Sequence, residues 1–331
     1  MNILIASTFL PPFAGGAERV ALDIYEGIRS KENVKLLSTS DYKDSIKVKY
    51  LRGLTIYYST LGRSLMNNII REYDINLIHS HMALPWGYVF KDFKVKKIIT
   101  CHGSDVFPKK NFFLNKLILN AFKKTDTIVS PSKWLSEYIK ETYNYSSTII
   151  PNGIDTELFK PLNKKNESNI ILFVGRFIDI KGVKLLLEVA SELKDYEFWF
   201  VGTGPLSRLI KLKNTKNLGL KTKNELADLY NRATICVFPS QRENFPLVGI
   251  EAMASGAIVL ATKMGFSEYV RDMHNGIIID YNKNDIITKI NLLMKDRSLM
   301  GKIKKNARNT AIEYDSKKMI KNYYDLYSSL V

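Results

Sequence analysis

The fold class of this chain can be read from residues 170–202, IILFVGRFIDIKGVKLLLEVASELKDYEFWFVG. The segment begins with one apolar run, 170–175, and ends with another, 197–202, and short apolar runs of this kind are typical of buried strands. Between them, residues 184–193 have apolar side chains at spacings of three and four, which is typical of a helix with one buried face. The segment therefore predicts two parallel strands joined by a crossover helix.

The same alternation recurs along most of the chain. It is interrupted at 151–168, where Pro-Asn-Gly precedes the polar run 163–168, and then starts again. We predict the α/β class, with two Rossmann-like halves of similar length whose ligands collect at the carboxyl ends of the strands. The further strand-like runs lie at 2–7, 77–79, 97–101, 127–130, 234–238 and 258–262.

The composition is that of a globular protein with a strong positive charge. Hydrophobic residues make up 45% of the 331 residues, and the formal charge is +16, which favours anionic partners. Cys101 and Cys236 are too few and too far apart for a disulfide framework or a zinc site, so we expect a reducing, cytoplasmic setting. The apolar run 3–10 predicts a strand rather than a signal peptide, and no run approaches the roughly 20 apolar residues of a membrane span.

Polar residues and glycines follow strand-like runs in the first half. Gly15 and Gly16 precede a helix-like stretch, and without side chains they let backbone amides approach a diphosphate; a tight turn is the alternative. His102 and Asp105 follow a strand, at the edge where α/β enzymes bind polar ligands, and a turn in which Asp105 caps a helix is the alternative. His81 lies near the same edge, with a structural role as its alternative.

In the second half, two cations follow the strand-like run 170–175. Arg176 and Lys181 offer a guanidinium fork and an ammonium group at the start of the next helix, which suits a diphosphate leaving group; solvation at the surface is the alternative. Gly204 belongs to a glycine turn after the strand 197–202. This turn resembles part of a dinucleotide fingerprint, but Pro205 stands where that pattern needs a helix entry.

Residues 238–256, FPSQRENFPLVGIEAMASG, contain two carboxylates eight residues apart around a loop that enters a helix. Glu243 is predicted in the loop, with a helix N-terminal charge as the alternative. Glu251 lies among apolar residues, where a buried carboxylate needs a partner, and it can accept hydrogen bonds from both hydroxyls of a ribose. In this interpretation the backbone of five further residues faces a bound sugar: Asn244, Phe245, Pro246, Leu247 and Val248.

Together these segments resemble glycosyltransferase family 4, the glycosyl transferases group 1 of the GT-B fold. The resemblance implies two Rossmann-like domains facing each other across a cleft. The acceptor side would consist of residues 1–155 and the C-terminal helix 315–331, which crosses back to that domain. The donor side would consist of residues 156–314. The matching segments occur in the family's order: Gly15-Gly16, His102-Gly103-Ser104-Asp105, Pro151-Asn152-Gly153-Ile154-Asp155, Val174-Gly175-Arg176, Lys181-Gly182 and Glu243-x7-Glu251.

The resemblance also implies an activity. A retaining glycosyltransferase would move a sugar from a UDP- or GDP-sugar to a sugar or lipid-linked sugar acceptor, without a cofactor. Arg176 and Lys181 would hold the diphosphate and stabilise the leaving charge. Glu243 would contact the donor sugar, Glu251 the ribose, and His102 the sugar near the reacting carbon.

Further residues take their roles from the same resemblance. Gly15 and Gly16 would contact the phosphates, Gly204 would belong to the donor side, and Asp105 and His81 to the acceptor side. The chain contains no Asp-x-Asp, so cationic side chains would take the place of a metal ion. No general base is assigned, because the leaving diphosphate is expected to help deprotonate the acceptor hydroxyl. The region after Gly204 is short and basic, so the sequence does not show whether the nucleotide of the donor is a uridine or a guanosine diphosphate.

Residues 109–124 combine five lysines with a wide apolar face and contain no acidic residue. A basic amphipathic helix suits an anionic membrane surface, and a core helix with solvated lysines is the alternative. With the resemblance, this segment predicts a cytoplasmic enzyme of glycan or surface polysaccharide assembly, peripheral on the inner face of the cell membrane.

Three other functions explain less of the sequence. A nucleic-acid-binding protein fits the charge, but the chain has no recognition motif, so we expect no nucleic-acid partner. Another GT-B enzyme, such as a nucleotide-sugar epimerase, explains the two cations and two carboxylates less well. An oxidoreductase would need an intact glycine fingerprint followed by an acidic residue.

Overall fold

The computed structural model describes residues 1–10, 15–50, 54–60, 62–107, 112–162 and 169–331. Sequence expectations that fall on 11–14, 109–111 and 163–168 lie outside the described residues. The chain divides into two compact units. Unit 1 comprises Met1–Asn152 and Lys317–Val331, and unit 2 comprises Gly153–Ser316.

Unit 1 is built on a seven-stranded parallel sheet of order β3-β2-β1-β4-β5-β6-β7. This order reverses direction between β1 and β4, as in doubly wound sheets. The strands are β1 Asn2–Ala6, β2 Asn33–Ser38, β3 Ser45–Lys47, β4 Leu77–His81, β5 Lys96–Thr100, β6 Thr127–Ser130 and β7 Thr148–Ile149. The first five helices are α1 Gly16–Ile28, α2 Leu54–Ser59, α3 Arg63–Glu72, α4 Phe112–Lys123 and α5 Lys133–Tyr143.

Unit 2 repeats the plan with a six-stranded parallel sheet of order β10-β9-β8-β11-β12-β13. Its reversal lies between β8 and β11. The strands are β8 Ile170–Val174, β9 Glu197–Val201, β10 Thr215–Asn217, β11 Ile235–Phe238, β12 Ile258–Thr262 and β13 Ile277–Ile279. The helices are α6 Val183–Glu192, α7 Lys223–Arg232, α8 Leu247–Ala254, α9 Lys263–Phe266, α10 Lys283–Lys295 and α11 Arg297–Glu313, and short 3₁₀ turns span Asp179–Lys181 and Pro205–Leu209.

Burial explains why these segments are strands. Every residue of β4, β8 and β12 is buried, because a parallel sheet is covered by helices on both faces and its central strands have no solvent side. The crossover helix α6 buries Val183, Leu186 and Val189 on one face, which matches the spacing of three and four in the sequence. The α/β expectation and its eight strand-like runs are confirmed.

The last helix, α12 Ser316–Leu330, packs on unit 1. It buries Met319, Tyr323 and Tyr327. The Tyr327 hydroxyl lies 2.5 Å from Nδ1 of His79, and the Tyr323 hydroxyl lies 3.0 Å from the Thr100 hydroxyl. The chain end therefore completes the core of the first unit, as the GT-B resemblance implied.

Candidate active site

The loops that follow β8 and β11 meet at the reversal of the unit 2 sheet. Connections run to opposite sides from this point, which leaves a crevice at the carboxyl ends of the two strands. The loops are tied together by a backbone hydrogen bond, in which the amide of Gln241 donates to the carbonyl of Ile180 at 2.8 Å. The sheet order thus brings Arg176 and Lys181 to the same edge as the loop that contains Glu243.

Lys181 and Glu243 form the central contact of this edge. The Lys181 ammonium and the Glu243 carboxylate form a close ion pair, and their side chains are only 18% and 14% exposed. An ion pair shielded from water is screened less than a surface pair, so each charge fixes the position of the other. Arg176 follows Gly175 and is exposed at the same strand end. The structure therefore brings Lys181 and Glu243 into contact, while Arg176 lies at the end of the strand that leads to Lys181.

Two glycines permit the close approach of these loops. Gly182 has φ +74°, and a side chain there would begin 2.1 Å from the carbonyl oxygen of Pro239. Gly265 has φ +75°, and its Cβ would lie 2.7 Å from the Glu243 carbonyl. L-residues rarely adopt this backbone conformation, so both positions require glycine.

Gly204 lies in the turn after β9, which packs against the loop containing Arg176. The amide of Phe177 donates to the carbonyl of Thr203 at 2.9 Å, and the amide of Leu206 donates to the carbonyl of Phe177 at 3.0 Å. This turn supports the backbone next to Arg176.

The loop before α8 is fixed by contacts with two tyrosines, Tyr269 and Tyr314. The Tyr269 hydroxyl donates to the Pro246 carbonyl at 2.6 Å, and the Phe245 ring packs edge-on against Tyr269 and Tyr314 with centroids 5.5 Å away in each case. Burial raises the pKa of Tyr269 well above its usual value, and the charges of Glu243, Tyr314 and Glu251 raise it further, so this phenol remains a donor.

The segment from Asn244 to Leu247 is buried, while Val248 is half-buried. Because α8 begins at Leu247, its first-turn amides lack acceptors within the helix and point toward the end at which the Glu243 loop enters. This arrangement favours an anionic or hydroxyl-rich ligand at that end.

Glu251 lies on α8, about one turn beyond this entry, and is 1% exposed. Its Oε2 accepts a hydrogen bond from the Tyr230 hydroxyl at 3.1 Å. The expectation that this buried carboxylate needs a partner is confirmed. Tyr230 and Tyr269 were not selected from the sequence, because their roles depend on contacts made 21 and 23 residues away.

The predicted first-half residues meet at the carboxyl ends of β4 and β5. Nδ1 of His81 lies 3.0 Å from Nε2 of His102, and the two rings are stacked. The His81 ring also lies 4.4 Å from that of His79. Burial lowers the pKa of His102 to about 4 and that of His81 well below its usual value, where His79 and His102 add to the effect. These imidazoles are therefore neutral at pH 7.

Asp105 holds the backbone around this pair. Its Oδ2 accepts from the amide of Ala83 at 2.8 Å, and its Oδ1 accepts from the amide of His102 at 2.9 Å. Burial raises the pKa of Asp105, against the lowering by these amide hydrogen bonds. Asp105 therefore fixes the loop that presents His102.

Gly15 and Gly16 stand at the start of α1. Gly15 precedes the helix, and its amide donates to Oε2 of Glu18 at 2.9 Å. The preceding part of this predicted turn, 11–14, lies outside the described residues. Gly16 begins the helix, where first-turn amides lack acceptors within the helix.

Neither a metal-ligand cluster nor a membrane-spanning helix occurs among the described residues. No group of three or more His, Cys, Asp or Glu side chains in these ranges is arranged to hold a metal ion. Among the helices that the structure describes, none is long and apolar enough to cross a membrane.

Two parallel α/β units, with a C-terminal helix that returns to the first of them, are the architecture of the GT-B glycosyltransferases. Comparison with known proteins agrees. The model of the glycosyl transferases group 1 matches residues 154–310, and that of glycosyltransferase family 4 matches residues 14–158. The chain belongs to glycosyltransferase family 4, the glycosyl transferases group 1.

Individual relatives share this assignment. An uncharacterized glycosyltransferase of Methanocaldococcus jannaschii is 28% identical over 100% of this chain and 99% of its own length. The N,N'-diacetylbacillosaminyl-diphospho-undecaprenol alpha-1,3-N-acetylgalactosaminyltransferase of Campylobacter jejuni is 27% identical over 66% of this chain and 65% of its own length. The structure of Anabaena HepE in complex with UDP-glucose has a TM-score of 0.84 at 18% identity, with 100% of both chains covered, and shows the shared fold.

Proposed function

We propose that this glycosyltransferase moves a sugar from a nucleoside diphosphate sugar to a lipid-linked or polysaccharide acceptor in glycan biosynthesis, with retention of configuration. The observation that carries the proposal is the Lys181–Glu243 ion pair at the sheet reversal, where Arg176 follows β8. A site with two cations and a carboxylate at this edge suits a donor that contains both a diphosphate and a sugar.

Arg176 and Lys181 bind the diphosphate in this proposal. As the glycosidic bond of the donor breaks, negative charge grows on the leaving diphosphate, and fixed cations stabilise that charge. Glu243 orients the Lys181 ammonium before the donor arrives. It then has a free carboxylate oxygen for a sugar hydroxyl, while Lys181 turns toward the phosphate. The two side chains provide this stabilisation without a metal ion.

Glu251 accepts hydrogen bonds from the ribose, and the backbone of residues 244–248 faces the donor sugar. Tyr230 positions Glu251 through its hydroxyl. Gly15 and Gly16 contact the donor phosphates, and Gly204 belongs to the donor side, as the sequence predicts. The HepE structure supports UDP as the nucleotide to test first, since its ligand is UDP-glucose.

His102 contacts the donor sugar near the reacting carbon, and His81 and Asp105 lie on the acceptor side. The neutral state of His102 supports hydrogen bonding rather than a cationic role. The acceptor hydroxyl loses its proton to the leaving diphosphate while the new glycosidic bond forms on the same face. No protein base is assigned.

A lipid-linked acceptor and a peripheral membrane location are supported by α4 and by a relative. Phe112 is 85% exposed, and Phe113 and Leu119 are also exposed. Lys116 and Lys123 are exposed on the same helix, and the exposed Lys124 follows it directly. The Campylobacter jejuni relative is named for a diphospho-undecaprenol acceptor. These features support docking on an anionic inner membrane surface from the cytoplasm.

The test is a calorimetric and thermal-shift screen of UDP, GDP, ADP and their sugar conjugates, followed by product analysis with acceptor. One preferred nucleotide should stabilise the protein by about 2.7 kcal/mol at a hundredfold excess over Kd. Arg176→Ala and Glu251→Ala should abolish this stabilisation by the nucleotide. The control Arg297→Ala, at an exposed position, should retain it. Failure of a folded protein to bind any nucleotide would overturn the proposal. Release of nucleotide without acceptor, with an inverted sugar centre, would indicate an epimerase.

A further inference from the structure

A cavity of about 360 Å³ lies within unit 2, at the far end of α8 from the candidate active site. It opens between the residues that follow α8, Ser255 and Gly256, and one face of α11, which contributes Lys304, Lys305, Arg308 and Asn309. The eight residues of α8 span about 12 Å. The cavity is therefore distinct from the loops that hold Lys181 and Glu243.

Ser255 brings an unused donor to this cavity. The residue is 2% exposed, and its hydroxyl has no hydrogen-bond partner within the described part of the chain. A buried hydroxyl without a partner is unfavourable by roughly 1–3 kcal/mol. A ligand that accepts a hydrogen bond inside the cavity would satisfy it.

The charged side chains that line the cavity, among the described residues, are all positive. Lys304 is half-buried, and burial lowers the pKa of its ammonium group. Neither Lys304 nor the exposed Lys305 forms an ion pair with any residue of the described ranges. Among the residues that the structure describes, no Asp or Glu lines the cavity. A partly desolvated ammonium without a carboxylate is expected to attract an anion.

Arg308 has a different role in the same wall. Its guanidinium donates to the carbonyls of Phe159 at 2.8 Å, Ala254 at 3.0 Å and Thr156 at 3.2 Å. These bonds neutralise carbonyl oxygens, including one at the carboxyl end of α8, that would otherwise repel an anion. The arginine thus keeps the wall positive while it fixes the backbone.

We propose that this cavity binds the phosphate group of a small phosphorylated ligand. Lys304, Lys305, the Ser255 hydroxyl and the Asn309 amide provide the charged and neutral donors that a phosphate monoester accepts. The volume lies in the range of small-molecule sites. The phosphate belongs either to a soluble phosphorylated metabolite or to a lipid headgroup, and the chemistry of recognition is the same.

The test measures binding to the full chain at low ionic strength. Titration calorimetry with inorganic phosphate and with glucose 6-phosphate tests the soluble source. Flotation with phosphatidylcholine vesicles, with and without phosphatidic acid, tests the lipid source. Saturable binding in one arm identifies the source and supports the proposal, and absence of binding in every arm overturns it.

Variants locate the bound phosphate. Lys304→Met and Ser255→Ala should each weaken binding, Lys304→Met by at least about tenfold. Lys302→Met, on the same helix but exposed and outside the cavity, should leave it unchanged. Lys181→Met should also retain this binding, which separates the cavity from the proposed donor site. Equal affinities in wild type and Lys304→Met would refute the inference, even if nucleotide binding at Lys181 is normal.

Lys304→Met has a second readout that does not depend on the ligand. Because burial disfavours the charged lysine, replacing it with a neutral side chain of similar length should keep or raise the melting temperature in phosphate-free buffer. Added phosphate should stabilise the wild type more than this variant. A large loss of stability in Lys304→Met without phosphate would instead show that the lysine is structural and would contradict the inference.

Discussion

At the scale of single residues, the ion pair of Lys181 and Glu243 does the most to define the site. Both side chains are mostly shielded from water, so removal of either partner leaves the other with a poorly solvated charge. Each position thus contributes to stability as well as to the proposed chemistry. An effect on activity must therefore be measured relative to the amount of folded protein.

Replacement of Lys181 tests this residue directly. In Lys181→Met we expect kcat to fall by about 10²–10³, because one fixed charge opposite the developing negative charge is lost. The measurement is steady-state transfer from the preferred donor, with folded protein quantified by circular dichroism. Lys184→Met is the matched control, since Lys184 pairs with Asp179 in an exposed salt bridge three residues further on. Equal kcat in Lys181→Met and wild type would contradict the role.

At the scale of secondary-structure elements, α4 is notable for two large apolar side chains that are exposed at its start. Leu117, Ile118, Ala121 and Phe122 face the core, so the helix has the buried face that every crossover helix needs. Phe112 and Phe113 lie outside that face and are exposed. One side of α4 therefore packs in the core, and the other side, with Phe112 and Phe113, is available for the membrane contact that we propose. Lys109 and Lys110 lie outside the described residues.

Vesicle binding tests the proposed membrane role of the exposed side of α4. A Phe112→Ser, Phe113→Ser variant should bind vesicles of phosphatidylglycerol at least several-fold more weakly, because two aromatic side chains no longer enter the interface. Binding should also decrease as salt rises. The control is Phe9→Ser, an exposed aromatic of the same unit. If wild type does not bind anionic vesicles at low salt, the membrane role of α4 is wrong.

At the scale of the whole molecule, the chain passes twice between the units, near residue 153 and near residue 316. The second passage places α12 against β4 and β5 of unit 1. There His79 lies between β5 and α12, which are far apart in sequence. Nδ1 of His79 contacts the Tyr327 hydroxyl, and its Nε2 lies 2.7 Å from the Thr100 hydroxyl. One ring nitrogen thus contacts the chain end directly. The other contacts β5, whose Thr100 hydroxyl in turn lies 3.0 Å from the Tyr323 hydroxyl of α12.

Acid sensitivity of unit 1 follows from this burial. Burial lowers the pKa of His79 from 6.5 to about 3, with a smaller contribution from His102. The unfolded chain therefore binds more protons than the folded one between these values, and stability falls as pH falls through that window. His79 alone contributes a slope of at most about 1.4 kcal/mol per pH unit.

The measurement is the free energy of unfolding between pH 7 and pH 4, by denaturant titration with hydrogen exchange to resolve the units. His79→Gln should be less stable at pH 7 but should have a shallower pH dependence. His274→Gln replaces an exposed histidine of unit 2 and should keep the wild-type slope. An unchanged slope in His79→Gln would show that its protonation does not limit stability.

Local pattern was sufficient for most of the fold. The central strands are continuous apolar runs, so β8, β9, β11 and β12 were identifiable from composition alone. The strands β3, β10 and β13 are three residues long and are too short to leave a clear local signal. The inner strand β2, Asn33–Ser38, is also absent from the predicted runs, because Lys35 interrupts its apolar pattern.

For the candidate site, too, the sequence predicts some features and the tertiary structure decides others. Sequence alone determined the α/β class, the repeat of two sheets, the family resemblance and the residues of interest, since each depends on residue type and spacing. Only the tertiary structure decided that Lys181 pairs with Glu243 across 62 positions and that Tyr230 partners Glu251. It also decided that Lys304 and Ser255 share a cavity. These contacts depend on strand order and helix packing, which bring distant residues together and which spacing along the chain does not encode.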